Sequence, residues 1–136
     1  MKLLFDENIG KPLAQAIGQI LRFDNSRHEV RHILDLTNKL AVPDEQWVPT
    51  IADGDWMVIT ADRGRQGPGR PLPRICKELS VTHVVISGTL HNSRQFEKAR
   101  AIIALWPEFI RAFDGPKGVE YRLQMGPRLV QQGALG

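Results

Sequence analysis

Cysteine is nearly missing from this chain. Cys76 is the one such residue among 136, which excludes an internal disulfide framework and a zinc site built on several thiolates, and leads to the expectation of a reducing, cytoplasmic location. Long apolar runs are lacking too, since the longest span only a few residues, far short of a membrane helix. No charged start followed by an apolar stretch of signal-peptide type is present, so a soluble protein with no membrane partner is expected. Charge of one sign is not dominant either. Lysine and arginine number 18 against 15 acids, a formal +3, and the isoelectric point near 9.4 permits nucleic-acid binding without requiring it. Neither an internal repeat nor a dividing linker is seen.

What is present is enough for one hydrophobic core, with 42% hydrophobic residues in a length too short for two ordinary domains. Lys2–Phe5 is a short apolar run followed by the turn signal Glu7-Asn8-Ile9-Gly10, which predicts a buried first strand. Pro12 suits a first helical turn, and Leu13, Ala16, Ile17, Ile20 and Leu21 recur at helical steps. A second strand is predicted over 29–34 and a short helix over 44–53, which Pro49 should shorten or kink. Trp56–Thr60 and His83–Ser87 predict two fully buried strands, with a small helix over 73–79 between them. Ser93 is read as the cap of a helix carrying Phe96, Ala99, Ile102, Ile103 and Trp106, and Pro107 as the start of another reaching Phe113. Residues 119–123 are expected to add an edge strand. The domain is accordingly placed at 1–123, with 124–136 as a flexible tail rich in glycine.

Alternating buried strands and helices predict an α/β fold: a single three-layer α/β/α domain with a central, mainly parallel sheet. Ligands bind at the carboxyl ends of such strands. Asp6 and Asp62 lie at or just beyond two such ends, and Asp44 shares a helix face with Trp47, Val48 and Ile51, which points its carboxylate toward the sheet. Three converging carboxylates repel one another unless a cation compensates them, and hard divalent ions prefer oxygen ligands. Each acid also has a local alternative, as a turn residue after a strand, a helix cap or an Asx turn. The joint placement favours a shared divalent-metal site.

FDEN after the first strand, PDEQW opening a helix and VITADR after the third strand together resemble the PIN-like nucleases, in particular the short branch related to VapC-type toxins. The resemblance covers roughly the first two thirds of the chain. It implies a PIN-like fold, Mg²⁺- or Mn²⁺-dependent endoribonuclease activity, an RNA substrate, and often a cognate antitoxin protein and a homodimer. Carried over residue by residue, Asp6, Asp44 and Asp62 become the catalytic, metal-holding acids. Glu7 and Asn8 become secondary ligands or orienting groups, and Thr60 a hydrogen-bond donor to a carboxylate or metal water. Many PIN nucleases carry a fourth acid after the fourth strand, where this chain has Ser87-Gly88-Thr89-Leu90-His91-Asn92. The basic segment RGRQGPGRPLPR places Arg63, Arg65, Arg70 and Arg74 after Asp62 and reads as an RNA-backbone clamp; it is not a P-loop, because the GK[ST] ending is missing.

Two other readings stay open. One is a non-catalytic PIN-like module that binds RNA or protein, and the other a haloacid-dehalogenase-like phosphatase, which would want a second aspartate where Asn8 stands. The histidines at 28, 32, 83 and 91 lack tight zinc spacing. His28 and His32 are read as surface or packing residues, and the three tryptophans as core.

Overall fold

Strand β1 (Lys2–Phe5) places Leu3 and Phe5 on one face and Leu4 on the other, as side chains alternate along an extended chain, and all three are fully buried. Buried on both faces, β1 has to lie inside a sheet that is covered on both sides. The computed structural model, which describes residues 1–39, 41–61 and 71–132, has that architecture. After β1 come α1 (Lys11–Phe23), β2 (Glu29–His32), α2 (Ile33–Thr37), α3 (Asp44–Ile51) and β3 (Trp56–Thr60). Then follow α4 (Leu72–Glu78), β4 (His83–Ile86), α5 (Gly88–His91), α6 (Gln95–Ala104), α7 (Trp106–Asp114), β5 (Glu120–Gln124) and β6 (Arg128–Gln131).

The six strands form one sheet in the order β2-β1-β3-β4-β5-β6. Neighbours from β2 to β5 run parallel, and β6 returns antiparallel against β5. Phe5 stands opposite both His32 and Ile59, so the carboxyl ends of β2, β1 and β3 are level. Two cores follow from the alternation. Leu3, Phe5, Met57, Ile59, Val84, Ile86 and Leu123 pack against Leu13 and Ile17 of α1, Ile102 of α6 and Phe109 of α7. On the opposite face Leu4 and Val58 pack against Trp47, Val48 and Ile51 of α3 and Leu72, Ile75 and Cys76 of α4. Each such large side chain contributes about 1.5–3 kcal/mol on burial. The fold is the expected α/β sandwich.

The second strand ends at His32 rather than at residue 34. The His32 Nδ1 accepts the Leu34 N–H at 3.1 Å, its Nε2–H donates to the Ile9 carbonyl at 2.7 Å, and Asp35 accepts the His32 N–H at 3.0 Å, so the chain turns into α2 there. His32 is thus a packing residue that ties the loop after β1 to the end of β2. Ser93 is not the cap of α6, which has Arg94 in that position; the Ser93 hydroxyl donates back to the Leu90 carbonyl at 2.5 Å. Phe96 is largely exposed, whereas Ala101 and Ile102 are buried. Nor is β5 an edge strand. Residues 128–131, which the sequence placed in a loose tail, form β6 and take the edge instead.

Candidate metal centre

Asp6 is the first residue beyond β1, and its N–H donates to the Ile59 carbonyl at 2.9 Å, which fixes it beside the end of β3. Its side chain is nearly buried, at 7% exposure. A carboxylate so placed requires donors. The Glu7 N–H donates to Oδ1 at 2.7 Å and the Thr60 hydroxyl donates to Oδ2 at 2.9 Å. Both carboxylate oxygens are thereby held in place by donors from the chain.

Asn8 and Glu7 brace the surrounding chain. The Asn8 Oδ1 accepts the Ala61 N–H at 3.1 Å, and its amide reaches the Thr60 hydroxyl at 3.4 Å. The point where the chain leaves β3 is thereby tied to the turn after β1, one residue before position 62. The Glu7 Oε1 accepts the Ala41 N–H at 2.6 Å. Ala41 has φ +59°, a left-handed conformation that costs a non-glycine residue about 1–2 kcal/mol, and this charge-assisted bond offsets part of that strain.

Asp44 opens α3 directly after Pro43, where an acid complements the helix dipole. Its Oδ1 accepts the Trp47 indole N–H at 2.9 Å. Because Trp47 is itself buried in the α3 core, the bond turns Asp44 inward. Asp6 and Asp44 line one small cavity of about 20 Å³ together with Glu7, Thr37, Lys39 and Trp47. That is room for about one water-sized particle. Cys76 is buried in the core between the sheet, α3 and α4: burial pushes its thiol pKa up, and the Asp44 and Asp6 carboxylates push it further.

Of the three acids predicted to converge, two therefore share a cavity. Asp62, with Arg63, Arg65 and Arg70, lies outside the described residues. Among the described residues, no group of three or more histidines, cysteines or acids is gathered as a metal set. The donors that do meet are hard anionic oxygens suited to Mg²⁺ or Mn²⁺ rather than to a thiophilic ion. Arg74 stands on α4 and pairs with Glu78 at 3.3 Å. Ser87 caps α5 by accepting the Leu90 N–H at 3.3 Å, so the segment after β4 supplies a helical turn. Lys39 was not singled out by the sequence, which showed it only within a polar stretch. It joins Asp6 and Asp44 in lining the small cavity.

Parallel strands covered by helices on both faces, with Asp6 just beyond β1 and Asp44 at the start of α3 lining one cavity, make an α/β domain with an acidic pair beside the carboxyl ends of its strands. A family model described as a PIN like domain matches residues 1–68, half of the chain, and this protein belongs to that PIN-like domain family. The matched span includes Asp6, Asp44 and Asp62. No curated protein and no solved structure matches the chain. Domains of the family are usually nucleases. Among the described residues, no helix is long and apolar enough to cross a membrane.

Proposed function

We propose that the chain is a metal-dependent endoribonuclease, working in the cytoplasm as the toxin component of a toxin–antitoxin pair. The observation that carries the reading is that Asp6 and Asp44, far apart in sequence, line one cavity at the carboxyl ends of parallel strands in a PIN-like domain. Asp6 and Asp44 would hold Mg²⁺ or Mn²⁺, and Asp62 is proposed as the third acid. The ion, when bound, supplies a water of lowered pKa and stabilises charge developing on the phosphodiester.

The chain's own residues do the positioning. Thr60 and the Glu7 N–H fix both oxygens of Asp6, and the Trp47 indole fixes Asp44. Preorganisation of this kind keeps the ligands from reorganising as charge develops. Lys39 on the cavity wall is suited to a non-bridging phosphate oxygen. Arg63, Arg65, Arg70 and Arg74 are proposed to grip the RNA backbone on either side of the cleaved bond. A cognate antitoxin would silence the site by covering the acids, and a homodimer would set two sites beside one basic surface; both are proposals.

A second reading is a binding module without turnover. Ser87, spent on capping α5 where many relatives carry an acid, favours it. The phosphatase reading is weaker, because Asn8 holds Thr60 and Ala61 and offers no carboxyl proton to a leaving group. The two main readings separate on incubation of purified protein with mixed RNA and Mn²⁺ or Mg²⁺, with EDTA and Asp6→Asn as controls. Cleavage lost in both controls supports the nuclease; RNA retained intact but bound supports the module.

A further inference from the structure

Helix α4 divides two surfaces of different character. One flank packs against α3, the helix that begins with Asp44. The other presents Pro71, Arg74 and Lys77 at three-residue steps, which share one helical face. Between this second flank and β5 runs a groove of about 290 Å³, with Val85 on its floor and Glu120 and Arg122 on the far wall.

The groove exists because the sheet continues beyond its helical cover. Leu123 of β5 is buried in the opposite core, with Tyr121 packed against it, so strand alternation sends Glu120, Arg122 and Gln124 to the α4 side. In β6, Arg128 stands opposite Gln124 and donates to its amide oxygen at 2.9 Å, which places it on the same face. Arg74, Lys77, Arg122 and Arg128 are therefore strung along one surface instead of converging on a point. Among the described residues, the acids paired with them are Glu120 and Glu78. Glu120 is mostly buried, 3.4 Å from Arg122 and 3.5 Å from the enclosed His83, while Glu78 meets Arg74 at 3.3 Å. Ion pairs as exposed as that of Arg74 hold a guanidinium only weakly, and a phosphate offers a stronger bidentate partner.

Cations in a row suit a polyanionic strand better than a single phosphate. No aromatic side chain lines the groove among the described residues, so it has contacts for phosphates and no platform on which bases stack. Its upper end is Pro71, where the chain returns from the arginine-rich segment that follows Asp62. We propose that the groove between α4 and β5 is a second backbone-tracking subsite, which takes the phosphates of single-stranded RNA beyond the acidic cavity without regard to base sequence. This rests on the nuclease reading for the identity of the strand.

The test is binding without cleavage. An Asp6→Asn background in EDTA removes turnover, and anisotropy of a labelled oligo-uridine of about 20 nucleotides, longer than one small single-strand site, gives Kd across a salt series. Adding Lys77→Ala and Arg122→Ala should weaken binding and flatten the log–log salt slope by about 0.7 per lost contact. The charge-preserving pair Lys77→Arg and Arg122→Lys should restore both, which separates lost charge from lost folding. Unchanged Kd and slope in the alanine pair, or equal losses in the charge-preserving pair, would overturn the groove assignment while leaving the nuclease reading in place. Absence of RNA binding by the Asp6→Asn parent itself would overturn both.

Discussion

The Thr60 hydroxyl donates to the Asp6 Oδ2 at 2.9 Å, joining the last residue of β3 to the first residue beyond β1. The pair is possible only because the register sets Phe5 opposite Ile59, so the two strands end together. A carboxylate held by strand register is positioned by the sheet itself rather than by the conformation of a loop.

Replacing Thr60 by valine keeps the shape and removes the donor. The nearly buried Asp6 carboxylate then loses the Thr60 donor, and the expected loss of stability is about 1–3 kcal/mol, read from urea unfolding. Mn²⁺ affinity should fall at least about tenfold, read by calorimetry, and Thr60→Ser should restore both. A valine variant equal to the parent in both measurements contradicts a positioning role.

Glu7 acts at one remove, by holding Ala41 in its left-handed conformation at the approach to α3. Glu7→Ala should speed proteolytic nicking around residue 41 and weaken Mn²⁺ binding, because Asp44 follows that loop. Glu7→Gln retains an acceptor oxygen and should lose much less. Equal losses in the two variants would show that Glu7 acts through its charge rather than through the bond to Ala41.

Cys76 is completely buried, and burial together with Asp44 and Asp6 raises its pKa. A thiol with so little thiolate and no access is unreactive. In the native protein it should resist a disulfide-exchange reagent and then react fully after denaturant is added. Rapid native labelling would mean that α4 opens away from the sheet.

His83 is enclosed, with its Nδ1–H donating to the Val81 carbonyl at 2.9 Å and Nε2 3.5 Å from Glu120, near enough for an ion pair yet too poorly aligned for a hydrogen bond. Burial holds its pKa below the ordinary value of 6.5, against the opposing pull of the Val81 bond and of Glu120. The unfolded chain then binds the proton more readily than the folded one. Stability is present above that ordinary value and is lost as pH falls through it toward the folded pKa. His83→Gln should flatten this acid limb in melts between neutral and mildly acidic pH. His28 is shifted downward as well, chiefly by burial, so a residual slope should remain; an undiminished slope would remove His83 from the account.

The parallel core was legible in the sequence because β1, β3 and β4 are short apolar runs bounded by turn residues, and Trp56–Thr60 has the bounds expected. Asp44 pointing inward was legible from its helical spacing to Trp47 and Val48. Ile33 and Leu34 misled, since apolar residues directly after a strand read as more strand, while the break is made by the capping contacts of His32 with Leu34 and Asp35, together with a His32 bond to Ile9 that no local pattern announces. Residues 128–131 misled in the opposite way. Their half-exposed, polar-interrupted pattern beside glycine and proline resembles a tail, and only pairing with β5 makes a strand of it. Lys39 was missed because a loop cation has no periodicity, and its place beside the cavity depends on how the chain turns after α2.

The most direct measurement is calorimetric titration of Mn²⁺ into the parent protein and the Asp6→Asn and Asp44→Asn variants, each first shown to be folded by circular dichroism. The account predicts that the parent binds and that both single variants lose most of that affinity, because the two carboxylates share one cavity. An Asp44→Asn variant that binds Mn²⁺ as tightly as the parent would contradict the shared centre.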